Sequence, residues 1–375
     1  MIYLDHSATT PMSQYSLKVF TKVSQEYFGN PSSLHDYGSI ANDLVQTSRQ
    51  TIAKAFNGVA RSLYFTSGGS ESNYLSLLSI ARANESKGKH LITTPIEHPS
   101  IINTFESLRK EGFEVSYIPV NSYGEVIVDA LHELIREDTI LASIGHANAE
   151  LGTVQDIKKI GEILNKHGVI FHSDCVQSFG KIPIDVQSAK IDCLSLSAHK
   201  IYGPKGIGAC YISPSVSWKG LVPNTTHEQG FRQGTINVPG AAAFAAAVEE
   251  IMPTVREESE RLKQLRLTFL SLLNKEKVVL EGHPDNRLPH HLGLRVKGIE
   301  GQYVMLECNR KGIAISTGSA CKVGQSAPPA SLLAVGRSTQ EAHEFIRLTF
   351  GKTTTEQHIV KTVNTIHEMI DVYFR

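Results

Sequence analysis

The chain has 375 residues, long enough for two domains, and 41% hydrophobic with 20% charged side chains is an ordinary make-up for a globular enzyme. Lys plus Arg equals Asp plus Glu at 37 each, so no net field steers the chain to nucleic acid or to an anionic membrane surface. The opening MIYLDHSATTP lacks the basic start and apolar core of a signal peptide, and no run approaches the length of a membrane span; the expected location is the cytoplasm.

From residue 60 to 212, short β-rich runs alternate with helical patterns. The strands are expected at Leu63–Thr66, His90–Thr94, Glu114–Ile118, Ile140–Ile144, Val169–His172, Cys193–Ser197 and Ala209–Ile212. Between them lie helices such as Asp156–His167, where Ile157, Ile160, Ile163 and Leu164 keep a three-to-four spacing. Alternation of this kind predicts a mostly parallel sheet covered by helices, with ligands bound beyond the carboxyl ends of its strands. After Gly240 the texture changes to an Ala-rich helix (Ala241–Met252) and a charged amphipathic one (Glu257–Asn274). Strand-like pieces (Val278–Glu281, Leu292–Val296), a helix near Gln302–Cys308 and a final helix from Thr355 complete a smaller α+β unit. The expected division is a large domain over 15–255 and a small one made of 1–14 and 256–375.

The five cysteines are odd in number and form no C-x-x-C pair, which argues against a disulfide framework and a zinc site; no metal is expected. Cys175, Cys193, Cys210 and Cys308 sit beside apolar residues and read as small buried hydrophobes. Cys321 differs, lying in STGSACKVGQSAPPAS, a small, polar, Gly/Pro-rich run that reads as an exposed loop.

The chemistry gathers at strand ends. In SLSAHKIYGPKG a strand runs into Ser197, His199 and Lys200. A lysine just past a strand end suits Schiff-base chemistry, because burial favours the neutral amine. Ser197 and His199 beside it are candidate phosphate donors. Asp174, in IFHSDCVQS, closes another apolar strand. A carboxylate is costly there without a partner, and a pyridinium nitrogen is a suitable one; Gln177 follows as a donor to the same ring. In FTSGGSESN a glycine turn opens a helix, where free N–H groups around Gly69 and the hydroxyls of Ser67 and Ser70 suit a phosphate. His98, in TTPIEHPSI, follows a further strand and suits ring stacking and proton transfer near neutral pH. Arg347 interrupts the apolar run FIRLTF, as either a carboxylate clamp or an ion pair at the edge of the small domain.

In order and spacing, YLDHSATTP, FGNPSSLH, FTSGGSESN, EHPSI, HSDCVQS, SAHKIYGPKG, GFRQGT, STGSAC and IRLTFGK resemble the NifS/IscS-type cysteine desulfurases, fold-type I (class V aminotransferase-like) enzymes that use pyridoxal 5'-phosphate (PLP). The resemblance covers nearly the whole chain. It implies a large domain with a mostly parallel seven-stranded sheet, Lys200 as the PLP lysine, Asp174 as partner of the pyridine nitrogen and Gln177 on the phenolic oxygen. His98 matches the ring-stacking acid/base, and Gly69, Ser70, Ser197 and His199 the phosphate site. Thr235 matches a threonine reaching the phosphate of the opposite subunit, which implies a homodimer with shared sites. Asn30 and Arg347 match positions binding the carboxylate of L-cysteine. Cys321 resembles the long-loop cysteine that carries sulfur as a persulfide. SDCVQSFGK, ECNRKGIAISTGSACKVG and GFRQGT resemble most the bacillus-type branch associated with NAD biosynthesis, whose implied sulfur acceptor is the iron–sulfur cluster of quinolinate synthase.

Two stretches depart from the family pattern. The usual HANNEIGT is HANAELGT, leaving Ala149 where an asparagine is expected, and Asn224-Thr225-Thr226 replace a glycine triplet. These departures motivate another reading, a PLP-fold scaffold with attenuated catalysis. A different PLP reaction, transamination or selenocysteine lysis, is the other alternative; the Cys321 loop argues against transamination, which needs no nucleophile there.

Overall fold

The computed structural model describes residues 1–318 and 328–375. The chain opens with β1 (Ile2–Tyr3). It then lays down β2 (Leu63–Thr66), β3 (His90–Thr93), β4 (Glu114–Tyr117), β5 (Thr139–Ser143), β6 (Ile170–Asp174), β7 (Cys193–Ser197) and β8 (Gly208–Ile212). These seven form one sheet in the order β2-β8-β7-β6-β5-β3-β4. Only β8 runs against its neighbours; the β3, β4, β5, β6 and β7 pairs are parallel. The expected mostly parallel sheet is present, with strand limits moved by a residue or two.

Both faces of this sheet are covered, and the sequence shows why. Successive strand residues point to opposite faces: Leu63 and Phe65 enter one core and Tyr64 the other, as do Ile92 against Leu91 and Leu194 against Cys193. Buried on two faces, a strand must be apolar throughout, which explains runs such as LYF and HLI. The first core is closed by Gln14–Glu26, Asp36–Lys54, Ile157–Lys166 and the Ala-rich Val238–Ile251. Alanines let that last helix pack closely on its neighbours, and Ser16 Oγ donates to Ala243 O at 2.8 Å. The second core lies under Gly69–Asn84 and Pro99–Lys110.

A third core belongs to the C-terminal part. It packs β9 (Val278–Glu281), β10 (His291–Val296), β11 (Ile313–Ala314) and β12 (Phe345–Thr349) with the helices Val255–Leu272, Gly301–Arg310 and Glu356–Tyr373. β10 is antiparallel to both β9 and β12, while β1 pairs in parallel with β11. Ile2 and Leu4 therefore pack among residues more than 250 positions later. Among the described residues no helix is long and apolar enough to cross a membrane.

Candidate active site

The carboxyl ends of β2, β3, β5, β6 and β7 open on one edge of the large sheet, and Lys200, Asp174, Gln177, His98, Gly69, Ser197 and His199 collect there. β7 is buried at every position and ends at Ser197. One tight turn, Ala198–Lys200, then turns the lysine into the cavity. Lys200 Nζ donates to Ser7 O at 2.5 Å and Ala8 O at 2.9 Å. Those carbonyls are held by their own ties: Thr10 N and Oγ1 each donate to His199 O at 2.8 Å, and Ser7 N donates to Thr349 Oγ1 at 2.8 Å. Gln177 Nε2 shares the Ser7 carbonyl at 3.2 Å.

Asp174 stands at the end of β6. Its Oδ1 accepts from Val176 N at 2.9 Å and its Oδ2 from Asn73 Nδ2 at 2.7 Å. Asn73 also donates to Ser100 Oγ at 3.0 Å, and Ser100 Oγ lies 2.8 Å from His98 Nδ1. One chain of side chains thus joins Asp174 to His98. His98 caps the helix Pro99–Lys110, accepting from Ser100 N. Its ring touches solvent yet is walled by protein, and desolvation lowers its imidazole pKa; the Asp174 charge opposes this and Lys200 adds to it.

The helix Gly69–Asn84 starts without any side-chain cap, leaving its first N–H groups to a ligand. A β-carbon on Gly69 would come within 2.4 Å of Val176 Cγ2, so only glycine lets the turn sit against the Asp174 segment. Ser70 is exposed at the helix start. Opposite, Ser197 Oγ is buried without a partner, a rare condition for a hydroxyl and one that a phosphate oxygen would relieve. His199 Nδ1 lies 3.1 Å from Thr9 Oγ1, and burial, then Lys200 and Lys205, lower its pKa to about 4, so its ring is neutral at pH 7. An amine, an anchored carboxylate, an uncapped helix start and an orphaned hydroxyl around one cavity fit a phosphorylated pyridine aldehyde.

Arg347 reaches the same edge from β12. It pairs with Asp5 at 2.9 Å and donates to Ala149 O at 3.2 Å, while its Nε is buried without a partner. The ion-pair reading of this arginine is therefore realised, and a free donor remains. The substituted Ala149 is held by its backbone, because His291 Nε2 also lies 2.9 Å from its carbonyl. At the other departure Asn224 adopts φ 60°, a left-handed conformation that asparagine tolerates better than most residues. Asn30 and Thr235 are exposed and stand outside the hydrogen-bonded set around Lys200; Asn30 Oδ1 accepts from Ser32 N at 3.0 Å. Cys321 lies outside the described residues. The other four cysteines are buried, as their apolar neighbours predict.

Sequence reasoning missed Asn73, Ser100, the Ser7 and Ala8 carbonyls, and Glu97. Glu97 accepts from Thr94 Oγ1 at 2.8 Å and from Gly145 N at 3.0 and 3.1 Å on its two oxygens. Although part of its surface stays accessible, loss of hydration pushes its carboxyl up to about 7, the two donors opposing and Asp174 adding. Both Asn73 and Glu97 fall inside the quoted motifs, but their spacing carries no sign of Asp174. Among the described residues no group of three or more His, Cys, Asp or Glu side chains is arranged to hold a metal.

The family model for class-V aminotransferases matches residues 2–361. The chain is 45% identical to a protein named putative cysteine desulfurase NifS from Halalkalibacterium halodurans, over 99% of this chain and 98% of that one. It is 44% identical to the protein of the same name from Bacillus subtilis, over 97% and 93%. Among solved structures, a NifS-like protein superposes with a TM-score of 0.93 at 32% identity over 99% of both chains. A structure described as SspA in complex with cysteine gives 0.83 at 32%, over 93% of this chain and 99% of that one. With its strand-end lysine, aspartate and helix start in place, the chain belongs to the class-V aminotransferase family, PLP-dependent enzymes, and within it to the NifS/IscS cysteine desulfurases.

Proposed function

We propose that this protein is a PLP-dependent cysteine desulfurase converting L-cysteine to L-alanine and holding the sulfur as a persulfide on Cys321. The observation that carries the reading is the convergence of Lys200, Asp174 and the unpartnered Ser197 hydroxyl on one cavity at the strand ends. When bound, the cofactor supplies an electron sink for bond changes at the α-carbon of the amino acid. Asp174, fixed by Asn73 and Val176, accepts the pyridine N–H, and Gln177 donates to the ring's phenolic oxygen. Gly69, Ser70, Ser197 and His199, with Thr235 of the opposite subunit, hold the phosphate. Lys200 would take and return a proton at the substrate carbon, moving off the Ser7 and Ala8 carbonyls, and His98 would be the second proton carrier. Asn30 and Arg347 bind the substrate carboxylate, Arg347 exchanging part of its hold on Asp5 for the new anion. The Cys321 thiolate attacks the substrate sulfur, the carbon–sulfur bond breaks, and a proton from the site completes alanine.

The working form is a cytoplasmic homodimer. Support comes from exposed apolar side chains flanking Asn30, with Phe28 67%, Tyr37 56% and Leu34 fully accessible in the single chain. We further propose that the sulfur enters iron–sulfur cluster assembly, with quinolinate synthase, and so NAD biosynthesis, as the specific destination. The test is alanine and sulfide production from L-cysteine and a reductant, with wild type beside Cys321→Ala. Both products from wild type, and neither from a variant that keeps its cofactor absorbance, support the assignment. Bound PLP without sulfide from wild type overturns it, in favour of an attenuated scaffold or a different PLP reaction.

A further inference from the structure

Glu97 occupies a place that the reaction above leaves unused. It bridges two strand ends: Thr94 follows β3, and Gly145 follows β5. The next residue along each connection is part of the site. His98 follows Glu97 directly, and His146 N, adjoining Gly145, donates to Asp174 O at 3.0 Å. Gly145 lies close against the Glu97 carboxyl, since a β-carbon there would stand 2.9 Å from Glu97 Oε2, with the Asp174 backbone carbonyl in ordinary contact at 3.8 Å. A carboxylate used only as a structural strut is ordinarily matched with a cation. Here the donors are an amide and a hydroxyl, and the charged group bearing on Glu97 is Asp174.

We infer that Glu97 is a positioning residue, bracing His98 and Asp174 against each other through the Gly145–His146 backbone and lending the cavity a second carboxylate charge. This rests on the desulfurase reading for its activity arm alone. The titratable group that bears on it is Asp174, at the end of β6, and His98 stands beside it in sequence and itself feels Asp174 and Lys200. With its carboxyl midpoint near 7, Glu97 gains its charge across the range in which the enzyme works. Above that midpoint the added negative charge favours the protonated ring nitrogen and the protonated amine linkage; below it, that help is withdrawn.

The experiment follows the visible absorbance of the PLP-loaded protein against pH, without substrate, for wild type, Glu97→Gln and Thr94→Val. Wild type is expected to show a step near neutral pH. Glu97→Gln loses that step. Thr94→Val, which removes one donor from the carboxylate, moves the step up by about half a pH unit, and it carries the test if the glutamine variant does not fold. Curves superimposable on wild type for the folded variants overturn the inference and leave Glu97 a structural brace. Alanine formation is measured separately: none from wild type sinks the desulfurase assignment, while the absorbance comparison still judges Glu97.

Discussion

The cavity has two walls of different origin. The sheet wall is built from strand ends between residues 66 and 200, where Asp174 is held by Asn73 from the helix that follows β2. The opposite wall joins Asp5, Ser7 and Ala8 to Arg347 and Thr349, partners more than 340 residues apart. The first wall is backed by two apolar cores; the second rests on the third core through Leu4, Leu348 and Phe350, and its polar groups are tied by carbonyls and one ion pair. In the proposed reaction the groups that must be held still sit on the sheet, while Arg347, the proposed carboxylate-binding group, sits where a contact can be exchanged.

That contrast is open to attack. Lys200→Ala removes the proposed proton carrier of the sheet wall, and alanine formation should fall by at least about 10³-fold in single turnover, with little loss of melting temperature. Next in size is an effect on stability. Burial lowers the pKa values of His146 and His172 on the sheet wall from 6.5 to about 4. Such rings are neutral when folded and charge more readily when unfolded, so their contribution is fully present above 6.5 and is lost as pH falls towards 4. At pH 5 the loss is about 2 kcal/mol per ring, read as a denaturation midpoint that drops between pH 7 and 5. A midpoint constant over that interval would show that the rings are not buried neutral.

The far wall should respond in binding rather than in rate. Arg347→Ala is expected to raise KM for cysteine by roughly 10- to 100-fold, with kcat changed less, as suits a charge-assisted contact of about 2 kcal/mol. Asp5→Asn frees the same arginine and should shift KM by less than about threefold. If Arg347→Ala lowers kcat and leaves KM alone, the division of labour between the walls is wrong. On the sheet wall the smallest effect belongs to Ser197→Ala, which should weaken PLP retention on dialysis by about fivefold, near 1 kcal/mol.

How much of each wall was legible in the sequence follows from the same division. Lys200, Asp174, His98 and the Gly69 turn announce themselves, because a polar group ending an apolar run is costly unless it serves something. Two-sided burial also makes β2, β3, β5 and β7 readable as largely apolar runs. The far wall gives weaker signals. Arg347 stands out in FIRLTF, but its pairing with Asp5 depends on packing the first strand against the last part of the chain. The Ser7 and Ala8 carbonyls have no side-chain signature at all. Asn73 and Glu97 look like surface helix and turn residues until the β5 and β6 connections are brought beside them.

The tie between Ser7 and Thr349 has a consequence during synthesis. A nascent chain that has emerged as far as residue 250 already contains Lys200, Asp174 and the phosphate-side turn, yet the turn that receives the lysine amine still lacks its anchor. Half of the cavity thus waits for residue 349 to leave the ribosome. Chains truncated before Thr349 should take up cofactor poorly and turn over nothing, so the proposed chemistry is confined to molecules in which that segment has been made and packed.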